Sequence, residues 1–277
     1  MLKMIAAGSS DVGRLRKNNE DSHKLAEPLL IVADGMGGAA AGEIASSIAV
    51  KTITEKLAGL SYTTDNDVAQ KVREAVLAAN DEIKKQMKLN PELEGMGTTV
   101  VMAIHFDDRI LIGNLGDSRA YLVTNLKSGQ QASHGAPFSA ADATAQTAIL
   151  TPIDLDAKKA PGQIIRLSED HSVVMELVNS GVITEDEIRT HPLRNRITRC
   201  VGILRDESAD VTWHDVKEND ILLLCSDGLW ELVHEDIILA VVSSSINMPE
   251  ICKRLIDAAN DAGGSDNITV IAAQFTL

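Results

Sequence analysis

Residues 28–33 (PLLIVA) form an unbroken apolar run that stops at Asp34-Gly35, the pattern of a buried strand ending in a sharp turn. Beyond glycines 35, 37, 38 and 42 the period changes. Ile44, Ile48, Ala49, Ile53 and Leu57 recur at helical spacing and predict a helix over 43–57, while Val68, Val72, Val76, Ala79, Ile83 and Met87 predict a second over 67–88. Each carries an apolar stripe, so both should lie on a sheet. Strands are expected next at 98–106, 109–114 and 118–123, joined as an antiparallel meander by turns at Asp107-Asp108 and Gly116-Asp117. A further pair, 209–216 and 220–225, is linked by Lys217-Glu218-Asn219, and a strand over 267–275 follows helices near 234–243 and 249–261.

Between 125 and 163 the pattern dissolves into Ala, Ser, Thr, Gln and Gly, the composition of a surface insertion. A short amphipathic helix is expected over 171–179, ended by Gly181, and Thr184-x-x-Glu187 matches a capping box. Strands and helices come in blocks and do not alternate strictly, which indicates an α+β sandwich.

Composition narrows the class. A chain of 277 residues that is 44% hydrophobic can bury a sizeable core, and without a Pro/Gly/Ser-rich linker a single domain over 1–277 is expected. Its formal charge of -14 repels polyanions, which argues against nucleic acid, and aromatic residues at 3% leave little material for base stacking. With no apolar run of the roughly 18 residues a membrane helix needs, no membrane partner and a cytoplasmic location are expected. Cys200, Cys225 and Cys252 lie far apart and suit buried thiols in a reducing compartment.

The informative chemistry is a set of aspartates at the ends of apolar runs: Asp34 in VADGMGG, Asp117 in NLGDSR, Asp227 in LLCSDG and Asp266 in GGSDN. Any one of them is explained by turn formation. Four in comparable places are not, because converging carboxylates repel unless a cation holds them. Oxygen-only ligands select Mg2+ or Mn2+ over zinc. Two such ions sharing a water suit hydrolysis of a phosphate ester, and Arg16 in GRLRKNNED offers a planar fork for the phosphate.

These residues fall within seven ordered motifs. They are Arg16-x-x-Asn19-Glu20-Asp21, Asp34-Gly35-Met36-Gly37-Gly38, Gly95-Met96-Gly97-Thr98-Thr99, Gly116-Asp117-Ser118-Arg119, Glu169-Asp170-His171-Ser172, Ser226-Asp227-Gly228 and Ser265-Asp266-Asn267. In that order the chain resembles the metal-dependent protein phosphatases of the PPM (type 2C) family, in its bacterial single-domain form. The resemblance implies a four-layer αββα sandwich of two antiparallel sheets flanked by helix pairs. It also implies hydrolysis of phosphoserine and phosphothreonine by a water bridging two metal ions, with phosphorylated targets of a serine/threonine kinase as partners and a monomeric enzyme. Carried over, Asp34 would bridge both metals, the Gly35 carbonyl would bind one, and Asp227 and Asp266 the other. Asp117, with Asp227, would hold a looser third ion. Asp21 would act from the outer shell and Arg16 would hold the phosphate. Residues 176–200 would form a mobile flap beside the site.

One departure stands out. Family members carry a histidine where this chain has Met36 or Ala39, and neither position has one here, so protonation of the leaving group falls to another donor. Two rival readings remain: a catalytically weak PPM-like regulatory or binding module, and a nucleotide-binding protein using the glycine-rich loop at 35–42. Against the second, no lysine completes a phosphate-binding loop, and the first predicted helix leads to another helix.

Overall fold

Period-two alternation within apolar strands decides which layer each side chain enters. The computed structural model describes residues 1–37, 41–126, 162–203, 208–245 and 247–277. One sheet is built from β1 (Lys3–Asp11), β7 (Arg119–Thr124), β8 (Gln163–Arg166), β10 (Ile221–Cys225) and β11 (Ile268–Thr276), in the order β1-β11-β10-β7-β8. The other contains β2 (Asp21–Ala26), β3 (Leu29–Met36), β5 (Val100–Phe106), β6 (Arg109–Leu115) and β9 (Asp210–Asp215), in the order β2-β3-β5-β6-β9, with β4 (Gly97–Thr98) paired to the end of β3.

In β3, Leu30 and Val32 point at the opposing sheet, where they meet Leu122, Leu222, Leu224, Ile271 and Phe275. Leu29, Ile31 and Ala33 point the other way, against α1 (Ala41–Lys56) and α2 (Asp65–Leu89). The second sheet repeats the scheme: Ile221, Leu223 and Cys225 face α5 (Glu235–Ser244) and α6 (Met248–Asp261), together with the short α3 (Val173–Asn179) and α4 (Asp227–Trp230). Both faces of both sheets are buried, which is why the strands read as continuous apolar runs. The layers are helix, sheet, sheet, helix. Local signals set the helix ends. Thr64 caps α2 by accepting the Asp67 N–H at 3.2 Å, and Asn247 caps α6 by accepting the Glu250 N–H at 3.0 Å. Among the described residues no helix is long and apolar enough to cross a membrane.

Several sequence expectations are corrected. β3 does not stop at Asp34-Gly35 but runs through them to Met36. The strand expected at 98–106 breaks at Thr99, since Thr98 leaves the β5 line to pair with Gly35 and with Val201. The meander ends at β6: Gly116-Asp117 is no hairpin turn but the crossing from one sheet to the other, as are residues 217–219 between β9 and β10. β8 lies at the edge of the stretch read as an insertion, the rest of which, 127–161, falls outside the described residues. Thr184 and Glu187 do form their box, with the Thr184 N–H donating to the Glu187 carboxylate at 2.8 Å, but they open a 3-10 helix (Glu185–Thr190). The nucleotide-loop reading also loses its support. Every pairing among the described strands is antiparallel, and α1 leads into α2, so no parallel βαβ unit is present there.

Candidate active site

Asp21 and Asp34 face each other across the β2–β3 ladder. β3, β6 and β10 all run toward this end of the sandwich, and β11 sets out from it. Asp117 therefore follows β6, Asp227 follows β10 as the first residue of α4, and Asp266 precedes β11. Two sheets deliver five carboxylates to one mouth.

Backbone contacts fix these positions before any chemistry. Thr99 Oγ1 accepts the Asp34 N–H at 3.0 Å, while the Thr99 N–H and the Thr98 hydroxyl donate to the Asp34 carbonyl at 2.9 and 2.8 Å. Gly35 is required by close approach, because a Cβ there would lie 2.1 Å from the Gly42 carbonyl oxygen at the start of α1. Gly116, at φ +114°, is gripped by His171 on both sides. The His171 N–H donates to the Gly116 carbonyl at 2.9 Å, and its Nδ1 accepts the Gly116 N–H at 3.0 Å. On the other side of the ring, Nε2 lies 3.0 Å from Asp210 Oδ2 and 2.7 Å from Arg199 Nη1, so the imidazole is wedged between Gly116 and the Arg199–Asp210 ion pair. Trp230 Nε1 donates to the Asp117 carbonyl at 2.9 Å and Arg119 stacks on the Trp230 ring at 3.5 Å. The Arg119 guanidinium is itself buried against Asp170 at 2.6 Å.

The electrostatics are those of crowded acids. Burial, then the charges of Asp21, Asp227 and Asp117, push Asp34 well above the usual carboxylate range. Asp117 is pushed well up by burial and then by Asp227. Burial raises Asp21 to about 7, although the hydroxyls of Thr269 and Ser226 donate to its Oδ2 at 2.6 and 2.8 Å and pull the other way. Burial and Asp266 lift Asp227 to about 6, with Asp34 and Arg16 restraining it. Oδ1 of Asp21 and Oδ1 of Asp227 are buried and accept no hydrogen bond among the described residues. Arg16 closes the rim, donating to Asp266 at 2.6 Å from a half-exposed side chain.

Such a set fits a hard divalent cation on its donor chemistry: oxygen ligands only, mutual repulsion, and orphaned inner oxygens. Among the described residues no three His, Cys, Asp or Glu side chains stand as a ready-made ligand cage, so the fit rests on donor type and charge. The structure brings together every residue singled out from the sequence, namely Arg16, Asp21, Asp34, Gly35, Asp117, Asp227 and Asp266. Sequence reasoning missed Thr269 and Glu231, and it placed Ser226, Thr98 and Thr99 in motifs without their roles beneath Asp21 and around Asp34. The Glu231 carboxyl is raised to about 7 by burial and then by Asp227. Glu231 did carry a signal, since it stands one helical turn after Asp227, whereas nothing in the chain pattern ties Ser226 and Thr269 to Asp21.

The architecture and the site together define an αββα sandwich with an all-carboxylate centre where strands from both sheets end. The chain belongs to the protein phosphatase 2C family, whose model matches residues 16–253. It is 32% identical over 281 residues to the serine/threonine phosphatase stp of Listeria monocytogenes, covering 99% of this chain and 97% of that one. Two solved structures are similar along the whole of both chains. The Mycobacterium tuberculosis serine/threonine phosphatase PstP/Ppp aligns with a TM-score of 0.78 at 32% identity, covering 100% of each chain. The catalytic domain of PstP in complex with two manganese ions aligns with a TM-score of 0.79 at 30% identity, again covering 100% of each.

Proposed function

We propose that this chain is a protein serine/threonine phosphatase that depends on Mg2+ or Mn2+ and hydrolyses phosphoserine and phosphothreonine in proteins. The observation that carries this reading is the convergence of five carboxylates at one end of the sandwich, four of which (Asp21, Asp34, Asp117 and Asp227) have raised proton affinity and two of which (Asp21 and Asp227) keep an orphaned inner oxygen. Asp34, the Gly35 carbonyl, Asp227 and Asp266 would hold two ions, and Asp117 with Asp227 a third. Bound divalent ions supply Lewis acidity and make water nucleophilic near neutral pH. The chain's own residues do the rest. Asp21, anchored by Ser226 and Thr269, keeps an inner oxygen free to accept from water, and Thr98 and Thr99 hold Asp34 in place. Arg16, at the rim, reaches over the mouth to take two oxygens of the phosphate once Asp266 is occupied otherwise. No covalent phosphoenzyme is required.

The natural substrates would be targets of a serine/threonine kinase, approached by a monomer in the cytoplasm, with residues 176–200 acting as a flap beside the mouth. The three free, buried cysteines suit that reducing compartment. A phosphothreonine peptide assayed with manganese, with a chelator, and with Asp227→Asn tests the activity. The expected result is turnover that requires manganese and falls by about a hundredfold or more in the variant. Turnover indifferent to chelation would overturn it.

A further inference from the structure

A cavity of about 840 Å³ opens between the N-terminal residues, the β5–β6 turn and β9. It lies at the end of the sheets remote from the carboxylates. β6 runs from Arg109 at this cavity to Leu115, two residues before Asp117, so the two sites stand about 20 Å apart at roughly 3.3 Å per strand residue. Nothing in the hydrolytic chemistry uses it.

The chain is poor in rings, with two Trp, two Tyr and three Phe, yet it gathers three of them here. Tyr62 meets Phe106 at 5.8 Å and Trp213 at 6.2 Å, both edge to face, and Phe106 meets Trp213 at 5.6 Å. Tyr62 leaves 51% of its surface to solvent, which core packing alone does not ask of a large ring. The cluster already accepts a cation, since the Arg109 guanidinium sits 4.4 Å from the centre of the Trp213 ring. That charge is taken up by Asp65, which accepts from both terminal nitrogens of Arg109 at 2.8 and 3.2 Å. Asp107 and Asp108 line the turn, and Asp215, exposed just outside the lining, stands 3.9 Å from Arg109. Four carboxylates, Asp65, Asp107, Asp108 and Asp215, thus stand in and beside the cavity against Arg109, Lys3 and the Met1 amino group.

We propose that this cavity is a docking surface for an arginine- or lysine-bearing peptide segment of a partner protein. The segment's apolar side chains would rest on Tyr62 and Phe106, and its cationic groups would reach the ring faces and the aspartates of the rim. A net charge of -14 favours the approach of such a segment and disfavours an acidic one. The surface acts whether or not the carboxylate centre hydrolyses phosphate.

The test is titration of the full chain with an unphosphorylated, fluorophore-labelled peptide of alternating arginine and leucine, read by anisotropy and by Trp213 emission. The matching peptide with glutamate for arginine is the comparison. Saturable binding that weakens with salt and quenches an emission absent from Trp213→Phe is expected. Affinity should fall about tenfold in the double variant Asp108→Lys, Asp215→Lys, and several-fold in Tyr62→Ala, whose ring contributes little to the core. Equal binding of the glutamate peptide, or unchanged affinity in both variants, overturns the proposal. A concentration-dependent dimer dissolved by Tyr62→Ala would give the face to a second copy of the chain and would overturn it equally.

Discussion

A carboxyl group that keeps its proton to about pH 7 is a costly thing to bury, and Asp21 does so beside Asp227, which keeps its own to about pH 6. In the unfolded chain both would ionise near pH 4. Between those values the folded state therefore holds more protons than the unfolded one, and stability falls as pH rises through the window. His23, His171 and His214, held low by burial, act in the opposite sense, so a single variant must separate the contributions. In chelator, the melting temperature of the native protein should drop between about pH 5 and about pH 7.5, and Asp21→Asn should flatten that drop. Manganese should restore stability mainly at the higher pH. A native protein whose pH dependence matches that of Asp21→Asn would contradict the burial argument. The aspartates themselves were legible in the sequence, since each interrupts or ends an apolar run. The two hydroxyls that hold Asp21 were not, because Ser226 and Thr269 come from strands far from it in sequence and only the fold brings them there.

Between neighbouring elements, the approach of α1 to β3 shows what periodicity can and cannot reveal. The apolar stripes of α1 and α2 announced that each would lie on a sheet, and Ala49, Ile53 and Leu57 do so, but Ile44 is 37% exposed and the unremarked Ala45 packs instead. The glycine-rich segment between strand and helix had two readings, and packing distinguishes them: Gly35 and Gly42 are there because two backbones nearly touch, not to cradle a nucleotide. Gly35→Ala would place its Cβ 2.1 Å from the Gly42 oxygen and 2.5 Å from that of Glu20. The helix must retreat or the strand end must twist. A loss of about 2 kcal/mol or more in urea unfolding is expected, with hydrolytic activity falling further than stability because Asp34 moves with the strand. Full activity in this variant would mean that the strand end is not what aims Asp34. The crossings after β6 and β9 were misread for a related reason. A Gly-Asp or Lys-Glu-Asn turn signals a reversal of the chain, but only the opposing apolar face decides whether the next strand pairs beside the last one or above it.

At the scale of the whole molecule, the two sheets do different things at their two ends. One mouth concentrates buried carboxylates whose repulsion a divalent ion would relieve. The other gathers three rings, Tyr62 exposed and Phe106 and Trp213 half-buried, beside a rim of aspartates. The four-layer order was legible because uninterrupted apolar strands need cover on both faces, and helical stripes of matching length flank them in the chain. The edge strand β8 was not, since four residues alternating in burial beside a stretch without period carry too little signal. The central claim, that carboxylates drawn from both sheets hold a pair of divalent ions, is tested most directly by anomalous diffraction at the manganese edge from crystals grown with manganese. Two peaks within coordination distance of Asp34, one of them also reached by Asp227 and Asp266, are the result expected. Density confined to other acidic patches, with these oxygens bare, would contradict it.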